Sequence, residues 1–207
     1  MDLRVYRILS STKVEGPGTR FCIWVQGCPI RCSGCFAKDT WDFNGGKLYD
    51  VNELISMISD SKEIEGVTIL GGEPFAQSEA LYALGKKIKS IGLSIVCFTG
   101  YSYEYILNAN SYKWNRLLSV IDLLIDGAYE EDNHDTSKPW IGSSNQNYRF
   151  LTSRYKYLES NIGSIKNKFE VRVSDNGSIV INGMGDIRKL HEKLNNIWSV
   201  KEYELYK

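Results

Sequence analysis

The chain has 207 residues, 43% hydrophobic and 24% charged, which is an ordinary globular composition with enough apolar material for one sizeable core. Its 25 Lys and Arg balance its 25 Asp and Glu, so the formal net charge is +0 and no bulk basic field favours nucleic acid as a partner. No apolar run has the length of a membrane span or a leader, and five cysteines, an odd number, fit a reducing compartment; a cytoplasmic protein is expected, with no membrane partner.

The N-terminal segment predicts two strands. Residues 3–9 alternate apolar and polar side chains, which is typical of a half-buried strand. A Gly-Pro-Gly turn at 16–18 leads into a second strand over residues 20–26, which ends at Gly27. A loop that contains three cysteines begins immediately after this strand.

This loop carries Cys28, Cys32 and Cys35 at the spacing C-x3-C-x2-C, while Cys22 and Cys97 each lie within an apolar stretch. A structural zinc site normally closes with four protein ligands, so the loop is one ligand short. Three thiolates suit a cubane iron–sulfur cluster, which takes one thiolate per iron and keeps one iron free for a ligand that is not protein. On spacing alone, three reduced thiols or a zinc loop completed by a distant residue stay open as alternatives.

Helices and buried strands alternate after residue 50. Helical periodicity predicts helices over residues 51–58, 78–91 and 103–118, and short apolar runs predict strands over 67–70, 94–98 and 120–125. Polar or glycine residues follow each strand: Gly71, Gly72, Glu73 and Pro74 after the first, Thr99 after the second and Asp126 after the third. In parallel α/β folds, ligand groups gather at these carboxyl ends. The plainer alternatives are a turn with a solvated carboxylate at Glu73, a capping hydroxyl at Thr99 and a turn residue at Asp126.

This alternation predicts an α/β fold with a parallel sheet and right-handed crossovers. There are too few βα units for an eight-fold barrel of about 250 residues, so we expect an open partial (β/α) barrel of parallel strands. We expect the core to span residues 1–150 and a C-terminal extension, residues 151–207, to pack on the same domain. The extension is predicted as a β-hairpin over 169–182, turning at 175–177, and a terminal helix over 187–197.

Three segments together resemble the radical S-adenosylmethionine superfamily, in the order that superfamily has them. Residues 15–21 resemble the lead-in of its small activating enzymes, the three-cysteine loop resembles its cluster motif, and residues 67–74 resemble its strand and GGEP turn. The resemblance implies a [4Fe-4S] cluster bound by Cys28, Cys32 and Cys35, with the amino and carboxylate groups of S-adenosylmethionine on the open iron.

The resemblance also implies roles for other residues. The GGEP turn, Gly71, Gly72, Glu73 and Pro74, would contact the methionine amino group, and Phe36, directly after the third cysteine, would lie against the adenine. Their positions after buried parallel strands, rather than the resemblance, make Thr99 a candidate for a hydrogen bond to the cofactor and Asp126 a candidate for holding the ribose hydroxyls or the partner. The implied reaction is reductive cleavage of S-adenosylmethionine to a 5′-deoxyadenosyl radical, which abstracts hydrogen from a substrate.

Two later segments resemble the activating proteins of anaerobic ribonucleotide reductases: Thr40-Trp41 followed by Gly45-Gly46, and residues 139–146. The implied substrate is a glycine Cα–H on a partner glycyl-radical enzyme, with an electron donor such as flavodoxin or ferredoxin. One alternative is a radical S-adenosylmethionine enzyme that modifies a peptide or a small heterocycle precursor. Another is a metal-binding interaction module without catalysis. The extension after residue 150 is absent from the smallest activators.

Overall fold

The computed structural model describes residues 1–173, 179–185, 190, 192 and 204–205. The strands in chain order are β1 (Asp2–Thr12), β2 (Arg20–Val25), β3 (Lys47–Asp50), β4 (Gly66–Gly71), β5 (Ser94–Thr99), β6 (Leu123–Asp126), β7 (Asn147–Phe150), β8 (Phe169–Val173), β9 (Ile179–Gly183) and β10 (Glu204–Leu205). The α-helices are α1 (Val51–Asp60), α2 (Ser78–Ser90), α3 (Tyr103–Asn108) and α4 (Tyr112–Leu118). Within these ranges, no helix has the length and apolar character needed to cross a membrane.

Strands β1 to β7 form one sheet in the order β3-β1-β2-β4-β5-β6-β7. The central strands β2, β4, β5 and β6 are parallel to one another, whereas β1, β3 and β7 run antiparallel to their neighbours. The predicted α/β class with a parallel central sheet is therefore confirmed. β3 and β7 are the two edges of the sheet, and the ladders of the described residues do not join them, so closure into a partial barrel stays a prediction.

The two faces of the sheet bury different side chains, because successive residues of a strand point to opposite sides. Ile23 of β2 and Cys97 of β5 face the α-helices and belong to the main hydrophobic core. Cys22 and Trp24 of β2 face the other side, where they pack with Leu70 of β4. The two cysteines outside the loop are thus buried in separate clusters, where each fills space as a small apolar side chain.

One predicted helix is wrong in its extent. Residues 103–118 form two helices rather than one, because Asn110 adopts a left-handed backbone conformation with φ 46° that ends the first helical segment. Ser111 then starts the second helix, since its Oγ accepts a hydrogen bond from the Trp114 N–H at 3.5 Å.

The edge strands β3 and β7 were not predicted from the sequence. Each contains four residues, and none of the eight is fully buried. Such short edge strands contain too few residues for a detectable alternation of apolar and polar positions. Their positions depend on pairing with β1 and β6, which is tertiary information.

The segment that follows β7 packs on the sheet face opposite the α-helices. A 3-10 helix over Ser153–Leu158 places Tyr155 and Leu158 against Ile125 of β6. β8 and β9 form the predicted antiparallel hairpin, and β10 pairs parallel with β9. The turn predicted at 175–177 and the terminal helix predicted over 187–197 lie outside the described residues, except for 190 and 192, which are helical.

The buried guanidinium of Arg20 connects the sheet to this extension. Its Nη1 donates hydrogen bonds to the Tyr155 hydroxyl at 2.7 Å and to Ser94 Oγ at 2.8 Å, and its Nε donates to Thr68 Oγ1 at 3.1 Å. Burial lowers the pKa of Arg20, because the charged form has lost its water shell. The neutral oxygens around it replace that water, so each one matters for stability.

Replacing Tyr155 with phenylalanine tests this connection. The change leaves a buried arginine N–H without its acceptor, and we expect the free energy of unfolding to fall by about 1–3 kcal/mol. Tyr157→Phe is the matched control, since the Tyr157 side chain is 65% exposed and its hydroxyl has no hydrogen bond within the described chain. Urea unfolding of the two variants measures the difference, and equal stabilities would contradict the role of Tyr155.

Candidate functional site

The predicted site residues come together at the carboxyl ends of the parallel strands. In the register of β2 and β4, Val25 pairs with Gly71, and in that of β5 and β6, Thr99 pairs with Asp126. The carboxyl ends of all four parallel strands therefore lie side by side, which is where α/β folds bind ligands. The three-cysteine loop leaves β2 at the same edge.

The two glycines of the GGEP turn permit a close approach to the start of the cysteine loop. Gly71 has φ +101°, and a Cβ on Gly72 would lie 2.4 Å from the carbonyl oxygen of Gly27. The Gly72 N–H donates to the Val25 carbonyl at 2.8 Å, and the Glu73 N–H donates to the Gly27 carbonyl at 2.9 Å. The turn is thus fixed against the residue directly before Cys28.

The carboxylate of Glu73 joins the ends of two strands. It is 1% exposed; Oε1 accepts from the Thr99 hydroxyl at 2.8 Å and from the Phe75 N–H at 2.9 Å, and Oε2 accepts from the Gly100 N–H at 2.9 Å. Burial raises the pKa of Glu73 to about 7, although the three hydrogen bonds favour the charged form. The Thr99 hydroxyl is therefore bonded directly to Glu73. Pro74 is the first residue of the 3-10 helix that follows.

The cysteine loop holds its three side chains half-buried. It turns through Arg31, with φ 52°, and Gly34, with φ 70°, and the Cys35 N–H donates to the Cys32 carbonyl at 3.2 Å. Backbone N–H groups are directed at two of the sulfurs: those of Ile30 and Arg31 at Cys28, and that of Tyr129 at Cys32. Burial raises the pKa of both thiols, while these N–H groups favour the thiolate form that a metal cluster requires.

These sulfurs do not converge on a single ion. Among the residues that the structure describes, no three His, Cys, Asp or Glu side chains are grouped as ligands of one metal. A cubane cluster does not need that convergence, because each thiolate binds a different iron. The fit to a [4Fe-4S] cluster therefore rests on three half-buried sulfurs on one loop and on the N–H groups directed at two of them.

A cavity of about 150 Å³ adjoins Cys35. Phe36, which is 52% exposed, lies on its wall, with its ring centroid 5.8 Å from that of Tyr129. Gly142 lies beneath the Tyr129 ring, and Met184 closes another side. Phe36 is therefore placed where a flat ligand group could contact it, while its predicted contact with adenine stays a prediction.

Asp126 has its oxygens engaged by the scaffold. It is fully buried; Oδ1 accepts from Arg149 Nε at 2.9 Å, and Oδ2 accepts from the Tyr103 N–H at 2.8 Å. Arg149 also pairs with Glu104 at 2.8 Å. These contacts favour a structural role at the start of α3, and a role of Asp126 in binding cofactor stays a prediction.

Several residues that shape the site were not singled out by the sequence. Gln26 is buried, and its Nε2 donates to the carbonyls of Asp39 at 3.0 Å and Asp42 at 2.7 Å, which fixes the segment after the cysteines. Gln146 donates to the Gly127 carbonyl at 2.9 Å and accepts from the Gly142 N–H at 2.8 Å. Gln146 belongs to the stretch 139–146, which resembles the activating proteins. That resemblance did not reveal which backbone groups the Gln146 side chain would bind.

Comparisons with known proteins agree with these motifs. A sequence model of the 4Fe-4S single cluster domain family matches residues 14–149. The anaerobic ribonucleoside-triphosphate reductase-activating protein of Enterobacteria phage T4 is 37% identical over 147 residues, covering 68% of this chain and 89% of that protein. The proteins of the same name from Pasteurella multocida and Escherichia coli K12 are 34% and 33% identical, covering 66% and 64% of this chain and 91% and 89% of their own. Among solved structures, QueE from Escherichia coli matches 49% of this chain and 54% of its own at 21% identity, with a TM-score of 0.42.

The chain therefore belongs to the radical S-adenosylmethionine superfamily, as its motifs predict, and carries that superfamily's 4Fe-4S domain. Within the superfamily it is a member of the anaerobic ribonucleoside-triphosphate reductase-activating protein family.

Substituting Gly72 tests the close approach at the site. In Gly72→Ala the new methyl group meets the Gly27 carbonyl at 2.4 Å, so we expect a loss of about 2–4 kcal/mol in the free energy of unfolding. Gly163→Ala is the control, because a Cβ there has no atom within 4 Å. Thermal unfolding of both variants decides, and a Gly72→Ala protein as stable as the control would contradict the geometry.

Glu73 predicts a pH dependence of stability. Its folded pKa of about 7 lies above the ordinary value of 4.5, so its contribution is complete below pH 4.5 and is lost as the pH rises through 7. At about 1.4 kcal/mol per pH unit, the loss reaches on the order of 3 kcal/mol. Glu73→Gln abolishes this slope, whereas the exposed control Glu79→Gln keeps it. Urea unfolding from pH 4.5 to 8 measures it, and parallel profiles for wild type and Glu73→Gln would be the contrary result.

Proposed function

We propose that this protein cleaves S-adenosylmethionine reductively and uses the resulting radical to abstract hydrogen from a glycine of a partner glycyl-radical enzyme. The observation that carries the proposal is the arrangement of the cysteine loop and the GGEP turn. They are fixed to each other through the Glu73–Gly27 hydrogen bond at the carboxyl edge of the sheet. Family membership supports the same activity, since the relatives are named for activating an anaerobic reductase.

Cys28, Cys32 and Cys35 would hold the [4Fe-4S] cluster. When bound, the cluster supplies the electron for cleavage. Thiolates bear negative charge, and the backbone N–H groups of Ile30, Arg31 and Tyr129 offset that charge at two of the sulfurs. Gly71, Gly72 and Glu73, at the carboxyl ends of the neighbouring strands, would bind the part of S-adenosylmethionine that the cluster leaves free.

The chain's own residues would position S-adenosylmethionine. Gly71 and Gly72 let the turn lie directly against β2 and Gly27, and a methionine ammonium would approach the backbone of this turn. Glu73, nearly fully buried, adds a carboxylate whose charge a bound ammonium would stabilise. Phe36 offers an exposed ring for the adenine, whereas Thr99 and Asp126 act through the scaffold contacts described above.

The proposed partner is another protein, as the names of the relatives suggest. The apolar side chain of Phe43 is 47% exposed just after the cysteine loop, as suits a surface covered by another protein. We assign this partner as an anaerobic ribonucleotide reductase, and the reductant as a flavodoxin or a ferredoxin. The proposal includes an open partial barrel with the extension packed on it as one domain. It also includes a cytoplasmic location, because free thiols persist in a reducing compartment.

Cysteine variants test the cluster assignment. Cys28→Ala, Cys32→Ala and Cys35→Ala are each expected to lose the cluster and to lower formation of 5′-deoxyadenosine by at least about 100-fold, because one iron loses its protein ligand. Cys97→Ala, a change at a buried cysteine outside the loop, keeps both. The protein is reconstituted anaerobically with iron and sulfide, and iron content and product are quantified. Full cluster content in any loop variant refutes the ligand set.

The substrate is tested with the candidate reductase present. Wild-type protein, reduced with S-adenosylmethionine, is expected to generate a glycyl radical on the reductase, detected by electron paramagnetic resonance. Formation of 5′-deoxyadenosine without that radical would transfer the assignment to another substrate, such as a peptide or a heterocycle precursor. A fully loaded cluster without any product would indicate a binding module.

A further inference from the structure

The extension after residue 150 reaches the cavity beside Cys35. One wall of this cavity is the cysteine loop, with Cys35 and Phe36; a second wall is formed by Tyr129 and Gly142. The third is formed by Met184 and Gly185, which directly follow β9. The match to the 4Fe-4S domain family ends at residue 149, so this third wall comes from a part of the chain outside that domain.

A side chain of the extension, that of Asn167, bonds to the segment that leads into the second wall. Its Nδ2 donates hydrogen bonds to the carbonyls of Thr136 at 2.8 Å and Lys138 at 2.7 Å. Its Oδ1 accepts from the Trp140 N–H at 3.0 Å. Both ends of this amide are therefore used to fix the backbone of five successive residues, 136–140.

This segment has a strained backbone. Trp140 has φ 62°, a left-handed conformation that is costly for a bulky side chain. Such conformations persist only where the surroundings over-determine them, and they cluster at functional sites. Here the Trp140 side chain is buried against Leu123 and Ile125, while Asn167 fixes its N–H.

The strained residue is two positions from the cavity. Gly142 follows it through Ile141, and a Cβ on Gly142 would lie 3.2 Å from Cδ2 of Tyr129, so the two are in close contact. Tyr129 in turn contacts the Phe36 ring and directs its backbone N–H at the sulfur of Cys32. A shift of the 136–140 backbone would therefore move the wall that faces the cluster loop.

We propose that Asn167 is a positioning residue for the reaction: it holds the strained segment 136–140, and thereby the Tyr129–Gly142 wall of the cavity that receives part of S-adenosylmethionine. The identity of the ligand rests on the proposed function, whereas the positioning of the wall by Asn167 does not. The extension is thus a part of the site and not only a cover for the sheet.

Asn167→Ala tests the proposal, with Asn161→Ala as the matched control. Asn161 lies in the same extension, is exposed, and its side chain makes no hydrogen bond to any described residue. In the apoprotein, the amides of Trp140 and Gly142 are expected to exchange hydrogen at least about tenfold faster in Asn167→Ala, because local opening costs less once the three bonds are lost. The control exchanges as wild type.

In the reconstituted enzyme, KM for S-adenosylmethionine is expected to rise about three- to tenfold in Asn167→Ala, with iron content unchanged and kcat for 5′-deoxyadenosine within about twofold. Unchanged exchange, or faster exchange with an unchanged KM, overturns the positioning role. If the wild type makes no 5′-deoxyadenosine, the proposed function fails, and exchange at Gly142 alone decides whether Asn167 positions the wall. Should Asn167→Ala not fold, Asn167→Asp, which retains the acceptor for Trp140 and removes both donors, takes its place with the same measurements.

Discussion

The site depends on one close approach between two backbones. β2 and β4 are parallel and in register up to Val25 and Gly71, so the chain leaves both strands at the same edge. Only a residue without Cβ at position 72 allows the GGEP turn to lie against the Gly27 carbonyl and to donate the Glu73 N–H to it. The cysteine loop therefore starts from a fixed point, and the sheet determines where the loop and its three sulfurs lie.

Two buried carboxylates, Glu73 and Asp126, connect the carboxyl ends of neighbouring strands through hydrogen bonds. Among the described residues Glu73 forms no ion pair, and its charge is stabilised by one hydroxyl and two backbone N–H groups from the segments that follow β4 and β5. Asp126 instead has Arg149, a full ion pair. The difference explains why burial raises the pKa of Glu73 to about 7, leaving a group that a bound ammonium would stabilise in its charged form. A preorganised acceptor of this kind costs little rearrangement when the ligand arrives.

The extension is bonded to the core at several separated points. Tyr155 accepts from the buried Arg20, and Glu15, in the segment before β2, accepts from the Gly183 N–H at 2.8 Å and from Asn182 at 3.4 Å. These contacts lie on the sheet face that the α-helices leave uncovered. A sheet with apolar residues on both faces must be covered on both, and here the extension supplies the second layer. Its route then places Met184 and Asn167 where they can shape the cavity.

The sequence by itself determined the cysteine loop, the GGEP turn, the presence of a parallel sheet and the family. Each depends on local spacing or on a periodicity within one segment. Only the tertiary structure decided that Thr99 and Asp126 are held by Glu73 and Arg149 and that Asn167 reaches residues 136–140. These outcomes depend on pairs of side chains and backbone groups far apart in the chain, and no local pattern records which donor will meet which acceptor after folding.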